Sequence, residues 1–73
     1  MKANRILLQR KYARIVDLFA HDANLPLEES LRMFYDSKTF SLIDEGVADM
    51  HCLSERYLTD ELLREYSITP TQQ

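Results

Sequence analysis

Apolar residues recur along this chain at the three- and four-residue spacing of helices, and nowhere alternate with polar ones at the two-residue spacing of strands. In residues 3–22, Leu8, Tyr12, Ile15, Val16 and Phe19 fall within a sector about 100° wide, the arc a buried helix face occupies. Arg10, Arg14, Asp17 and His21 take the opposite side. Leu7 and Leu18, eleven residues apart and nearly eclipsed, flank the main stripe and widen the apolar surface. They read either as the rim of the core or as part of an interface.

Asn24-Leu25-Pro26 breaks this helix, because proline disfavours helical geometry in the residue before it and suits the first turn of the helix that follows. Glu28 and Glu29 then sit where the helix dipole favours acids. Leu27, Leu31, Phe34 and Tyr35 carry an i, i+4, i+7, i+8 pattern to about Ser37, which predicts that they form the inner face of a second helix. After a break at Asp36-Ser37, Thr39–Glu45 reads as a short helix with Phe40 and Ile43 inward, ended by Gly46 in the left-handed position. Val47, Met50 and Leu53 keep helical spacing over a short stretch. Ser54 or Thr59 caps the last helix, whose apolar face is Tyr57, Leu58, Leu62, Leu63 and Tyr66. The pattern predicts an all-α fold, a compact bundle of three to four short helices. It forms one domain over residues 1–67, followed by a flexible polar tail over residues 68–73.

Composition narrows the function. A chain of 73 residues buries only about 60% of the surface exposed by its unfolded form, so small scaffolds usually depend on a disulfide, a metal or association. The lone Cys52 excludes an internal disulfide, and Cys52, His51 and His21 are too few for a Cys/His zinc site. Self-association, as a dimer, or a partner protein is therefore expected. No run approaches the roughly 18 apolar residues of a membrane span. The apolar stretch Ile6-Leu7-Leu8 is too short for a signal-peptide core. A free cysteine without a secretion signal points to the cytoplasm. The net charge of −3 hides an asymmetry: residues 1–14 hold five basic side chains and no acid, whereas the rest sets four basic residues against all twelve acids, a net −8. The basic segment either packs on the acidic body or reaches an acidic partner.

Catalytic chemistry has little to stand on. His51 and Cys52 are sequence neighbours, and adjacent helical residues point about 100° apart, so they read as a hydrogen-bonded histidine and a packed thiol. The acid pairs Glu28-Glu29, Asp44-Glu45 and Asp60-Glu61 sit near helix ends, where capping and solubility account for them. So short a chain also has little volume for a substrate cleft. One glycine cannot build a phosphate cradle, and Asp44-Glu45-Gly46-Val47-Ala48-Asp49 lacks the alternating acids of a calcium loop. No cofactor or metal is expected. A DNA-reading helix needs Arg, Lys, Asn, Gln or Ser on one exposed face. Here the basic residues of the first helix scatter around its circumference, and the later helices are acidic.

From Leu27 to Tyr66 the chain resembles a family of short bacterial proteins, the domain of unknown function numbered thirty-seven ninety-one. The resemblance lies in Leu27-Glu28-Glu29-Ser30-Leu31, in Met33-Phe34-Tyr35-Asp36-Ser37-Lys38-Thr39-Phe40, in Leu42-Ile43-Asp44-Glu45-Gly46-Val47-Ala48-Asp49-Met50-His51 and in Tyr57-Leu58-Thr59-Asp60-Glu61-Leu62. It implies a stand-alone bacterial module, commonly encoded beside small genes that include ADP-ribosyltransferase-like toxins, and hence an antitoxin- or immunity-like role. It implies no catalytic residue. His51 matches a histidine of the family and reads either as a side chain bonded to a helix end or as a partner contact.

The expectation is therefore a non-catalytic protein-binding module, with a small DNA-binding transcriptional regulator as the alternative. The candidate partner-binding residues are Leu7, Arg10, Arg14, Leu18, His51, Tyr57 and Tyr66.

Overall fold

A computed structural model describes residues 5–70, and the side chains of all of these except Arg5, Ala48, Asp49 and His51. The described residues form an all-helical bundle without strands. Its elements are α1 (Arg5–Ala23), α2 (Leu27–Tyr35), α3 (Lys38–Glu45), a 3-10 turn (Val47–Cys52) and α4 (Glu55–Glu65). None of these helices is long and apolar enough to cross a membrane.

The expected stripe of α1 is the centre of the core. Tyr12, Ile15, Val16 and Phe19 are buried and Leu8 packs at their edge, against Phe34, Ile43, Leu58, Leu62 and Leu63 from the other helices. α2 and α4 both pack on α1, and α3 bridges α2 and α4.

Two helices end in the same device. At the close of α1, Asn24 turns left-handed (φ 57°), its N–H bonds the His21 carbonyl, and the Leu25 N–H bonds back to Ala20 at 2.9 Å. At the close of α4, Ser67 (φ 56°) bonds Arg64, and Ile68 bonds Leu63 at 2.9 Å. These pairings satisfy carbonyls that a helix end otherwise leaves open, and the residue after the left-handed one drops onto the core. Leu25 and Ile68 do so here. α4 itself ends at Glu65, and the ordered chain continues through its cap to Ile68. Ile68 is bonded and packed where a loose tail was expected to start, and residues 71–73 lie outside the described region. Gly46 ends α3 with φ 72°, as its sequence position implies.

Other boundaries moved. Pro26 precedes α2 as its cap instead of entering the first turn. Ser54 caps α4 by accepting from the Tyr57 N–H at 3.0 Å, while Thr59, the other candidate, is buried inside the helix. Val47, Met50 and Leu53 are three apart, the repeat of a 3-10 helix, and that is the form the segment takes.

The main correction concerns α2. Of the four residues expected inside, only Phe34 is buried. Leu27, Leu31 and Tyr35 are 56%, 46% and 47% exposed. The helix turns on Met33 and Phe34, which both pack inward. The bisector of those two runs through the fully buried Ser30. At about 100° per residue, that axis leaves Leu31 roughly 110° and Tyr35 roughly 150° away. A similar correction holds on α4. Tyr57 lies roughly 180° from the buried Thr59–Leu62–Leu63 sector and is exposed instead of lining the core.

Candidate functional site

The corner between α2 and α3 positions the exposed residues, and it is held from outside by the end of α4. An α-helix starts with four N–H groups that have no partner within it. In α3 all four are satisfied: Ser37 N–H by the Phe34 carbonyl (3.1 Å), Lys38 and Thr39 N–H by the Glu65 carboxylate (2.7 and 3.0 Å), and Phe40 N–H by Ser37 Oγ (2.9 Å). Thr39 Oγ1 adds a further bond to Glu65 at 2.8 Å. Burial pushes the Glu65 carboxyl up. The two backbone N–H groups, the Thr39 hydroxyl and the Lys38 charge outweigh this and hold it below the ordinary glutamate value. The next residue, Tyr66, donates its hydroxyl to the Met33 carbonyl of α2 at 2.8 Å. Burial first, then the charges of Glu65 and Asp36, raise that phenol above its ordinary value.

Four rings fill the corner. Tyr12, Phe34, Tyr35 and Phe40 contact one another with centroids 4.8 to 6.4 Å apart, mostly edge to face, the arrangement that ring quadrupoles favour. Tyr12 also donates to Asp44 of α3 at 3.1 Å. Tyr35 is the ring that remains half in solvent. Its neighbours fix its position, so it stands as a preformed apolar post at the end of the line Leu27, Leu31, Tyr35.

Beside that line run Glu28, Arg32 and Asp36, all exposed. Arg32 forks onto both oxygens of Glu29 (2.7 and 2.8 Å), and this bond with its accompanying charge raises the guanidinium above its ordinary value. The face is an apolar ridge with a rim of mixed charge.

Most of the residues anticipated from the sequence lie on α1 and the first turn of α4. Leu7 and Arg10 are exposed on the early turns of α1. Arg14 is exposed and bonds Glu55 at 2.9 Å, which brings it to the first turn of α4, the turn that carries Tyr57. Leu18 is half-buried on α1. Tyr66 is partly buried and committed to Met33, and the side chain of His51 lies outside the described residues. At about 100° per residue, Leu7, Arg10, Arg14 and Leu18 share one side of α1, whereas Tyr66 is turned toward α2. The i, i+4, i+7, i+8 pattern places Leu27, Leu31 and Tyr35 in the core, and the structure turns them to the surface. Met33, beside Phe34, was the usable signal, since burying both rotates the ridge outward.

Elsewhere, Asp22 of α1 is 2% exposed and meets Arg56, which also binds Asp60 (3.0 and 3.2 Å). The bond to Asp22 chiefly raises the Arg56 guanidinium above its ordinary value, against the opposing effect of burial. Lys11 Nζ donates to the Leu53 carbonyl, fastening the 3-10 turn to α1. The hydroxyls of Ser30 and Thr59 are buried without a hydrogen-bond partner among the described residues. Cys52 is exposed, and no group of three or more His, Cys, Asp or Glu that could hold a metal occurs among the described residues.

No protein-family model, curated protein or solved structure matches this chain.

Proposed function

We propose that this chain is a non-catalytic protein-binding module and that its binding face is the outward ridge of α2. One observation carries the reading: Leu27, Leu31 and Tyr35 form a straight i, i+4, i+8 line of large apolar side chains on a rigid corner, each about half in solvent. Scattered exposed leucines are ordinary on a protein surface, but an aligned apolar patch with a polar rim is the form of an interaction site. Tyrosine is also among the residues that dominate interface energetics. The resemblance of residues 27–66 to the bacterial family adds that the partner is a toxin encoded nearby, which this protein would neutralise.

The alternative of a DNA-binding regulator has less behind it. Along α2, its cap and α3 the exposed acids Glu28, Asp36, Asp44 and Glu45 outnumber the exposed bases Arg32 and Lys38, which opposes the main source of affinity for nucleic acid.

The test is affinity capture from the native host with the wild-type chain and with Leu31→Glu, identified by mass spectrometry. The expected result is a defined protein retained by the wild type and lost with the variant, with helix content unchanged by circular dichroism. Equal retention by both chains would remove α2 from the binding face.

A further inference from the structure

The basic segment over residues 1–14 can pack on the acidic body or reach an acidic partner, and the structure divides it between the two. Arg14 turns to the body: one of its nitrogens bonds Glu55 at 2.9 Å, while its side chain stays 60% exposed with donors to spare. Lys11 Nζ donates to the Leu53 carbonyl, which takes the bond without cancelling the charge. Arg10 is exposed and pairs with no acid among the described residues. The arginines of the later helices, Arg32, Arg56 and Arg64, all pair with acids of the chain. Apolar surface lies beside the uncancelled charge. Ile6 and Leu7 are 65% and 63% exposed, four and three residues before Arg10, so its guanidinium stands between them on the next turn. Arg10 and Arg14 are themselves four apart, a like-charge spacing that weakens a helix, and the first turn of α1 lacks the acid its dipole favours. Folding gains nothing from this arrangement, and a negative partner does. Asp17, the first acid of the chain, lies about 10 Å along the axis from Arg10 and bounds the patch.

We propose that Ile6, Leu7, Arg10 and Arg14, on the outward side of α1, dock an acidic polypeptide segment of another protein, one that carries apolar side chains among its carboxylates. The apolar groups seat on Ile6 and Leu7, and the carboxylates meet Arg10, Arg14 and the charge of Lys11. Charge also selects the class of occupant. A peptide segment is narrow enough to touch α1 alone. A nucleic acid or an anionic membrane extends beyond the patch and brings its phosphates within a Debye length, about 8–10 Å, of a body whose residues 15–73 carry a net −8. A second copy would have to offer the acids of its α2–α3 corner, Glu28, Asp36, Asp44 and Glu45, and a contact between two unlike surfaces leaves open ends from which filaments grow. This surface is on a different helix from the α2 ridge and does not depend on the reading of that ridge.

The test is a titration of the isotope-labelled full chain, followed by amide NMR shifts, with a short peptide of glutamate and leucine. Its counterpart with glutamine for glutamate, oligoglutamate, a single-stranded oligonucleotide and phosphatidylserine vesicles are the comparisons. The expected result is saturable shifts at Ile6, Leu7, Arg10 and Arg14 with the glutamate–leucine peptide, tighter than with any comparison and weakened by salt. Arg10→Glu should raise the dissociation constant roughly fivefold or more, and Leu7→Gln should bring the peptide down to the level of oligoglutamate, both with helix content unchanged by circular dichroism. Leu31→Glu should leave the affinity as it is. Absence of shifts on α1, or equal binding by Arg10→Glu, overturns the proposal. Equal binding of oligoglutamate, the oligonucleotide or the vesicles through the same residues overturns the choice of occupant, as do shifts at those residues when the chain alone is concentrated. If the shifts fall on α2 and vanish with Leu31→Glu, the α1 surface falls and the α2 ridge stands.

Discussion

Replacing Glu65 by glutamine removes one charge and almost no volume, so it isolates what the carboxylate does for α3. In the wild type, one oxygen accepts from Lys38 N–H at 2.7 Å and the other from Thr39 N–H at 3.0 Å and Thr39 Oγ1 at 2.8 Å. Glutamine keeps one acceptor and turns its amide group, a donor, toward the remaining donors. A hydrogen bond to a charged group is worth about 1.5–3 kcal/mol net, and loss of a helix cap costs about 0.5–2 kcal/mol. Because Glu65 retains exposure, solvent screens part of this, and the expected cost is about 1–2 kcal/mol. With a urea m-value near 1 kcal/mol/M for a chain of this size, the unfolding midpoint should fall by about 1–2 M.

The pH dependence then identifies the cause. The carboxyl is held below its ordinary value in the folded state, so the folded state binds fewer protons and the carboxylate's contribution is complete above the unfolded value of about 4.3. It is lost as pH falls through the lowered folded value beneath that. Protonated glutamate and glutamine are near isosteres. The gap between wild type and Glu65→Gln should therefore be full at neutral pH and close below about pH 4. Urea titrations followed by circular dichroism across that range are the assay. A midpoint shift under about 0.3 M at neutral pH would refute the reasoning, as would a gap that does not change with pH.

The rotation of α2 gives a paired comparison. Phe34→Ala should cost about 3–5 kcal/mol by opening a cavity in the ring cluster, whereas Leu31→Ala should cost under about 1 kcal/mol, as at an exposed position. Denaturant unfolding of both variants measures this, and similar losses would mean that α2 faces the core by another side. Ser67→Gly should stabilise the chain by about 0.5–1 kcal/mol. It removes a left-handed penalty of about 1–2 kcal/mol and adds part of the entropy of glycine. A lower thermal midpoint for that variant would contradict the left-handed geometry at 67.

Much of this bundle is readable from short-range pattern. The stripe Tyr12, Ile15, Val16 and Phe19 is legible because Arg10, Arg14, Asp17 and His21 stand directly opposite it on α1. Asn24, Gly46 and Ser54 mark boundaries through local backbone chemistry that needs no knowledge of the rest of the molecule. α2 is harder. Its apolar residues cover so wide an arc that periodicity permits several orientations, and the residue at the centre of the buried side is Ser30, which looks polar on paper. Thr59 misleads in the same way on α4. The bonds from Glu65 and Tyr66 join residues 26 and 33 positions away, and no local rule signals them. The outward ridge follows from these choices, and the sequence pattern points instead to Leu7, Arg10, Arg14 and Leu18 of α1, to His51, to Tyr57 of α4 and to Tyr66.

The fastening of the α2–α3 corner by Glu65 and Tyr66 has a consequence for the order in which the molecule comes into being. Helices of nine and eight residues, the lengths of α2 and α3, are marginal on their own. As the chain is synthesised, the amides of Lys38 and Thr39 and the carbonyl of Met33 emerge facing water and wait for residues made much later. The α2–α3 corner is therefore fastened only once α4 has been made. The ridge on α2 takes its finished form only in a chain translated through α4, so the partner proposed for that face would meet chains that carry α4 and pass over shorter nascent fragments.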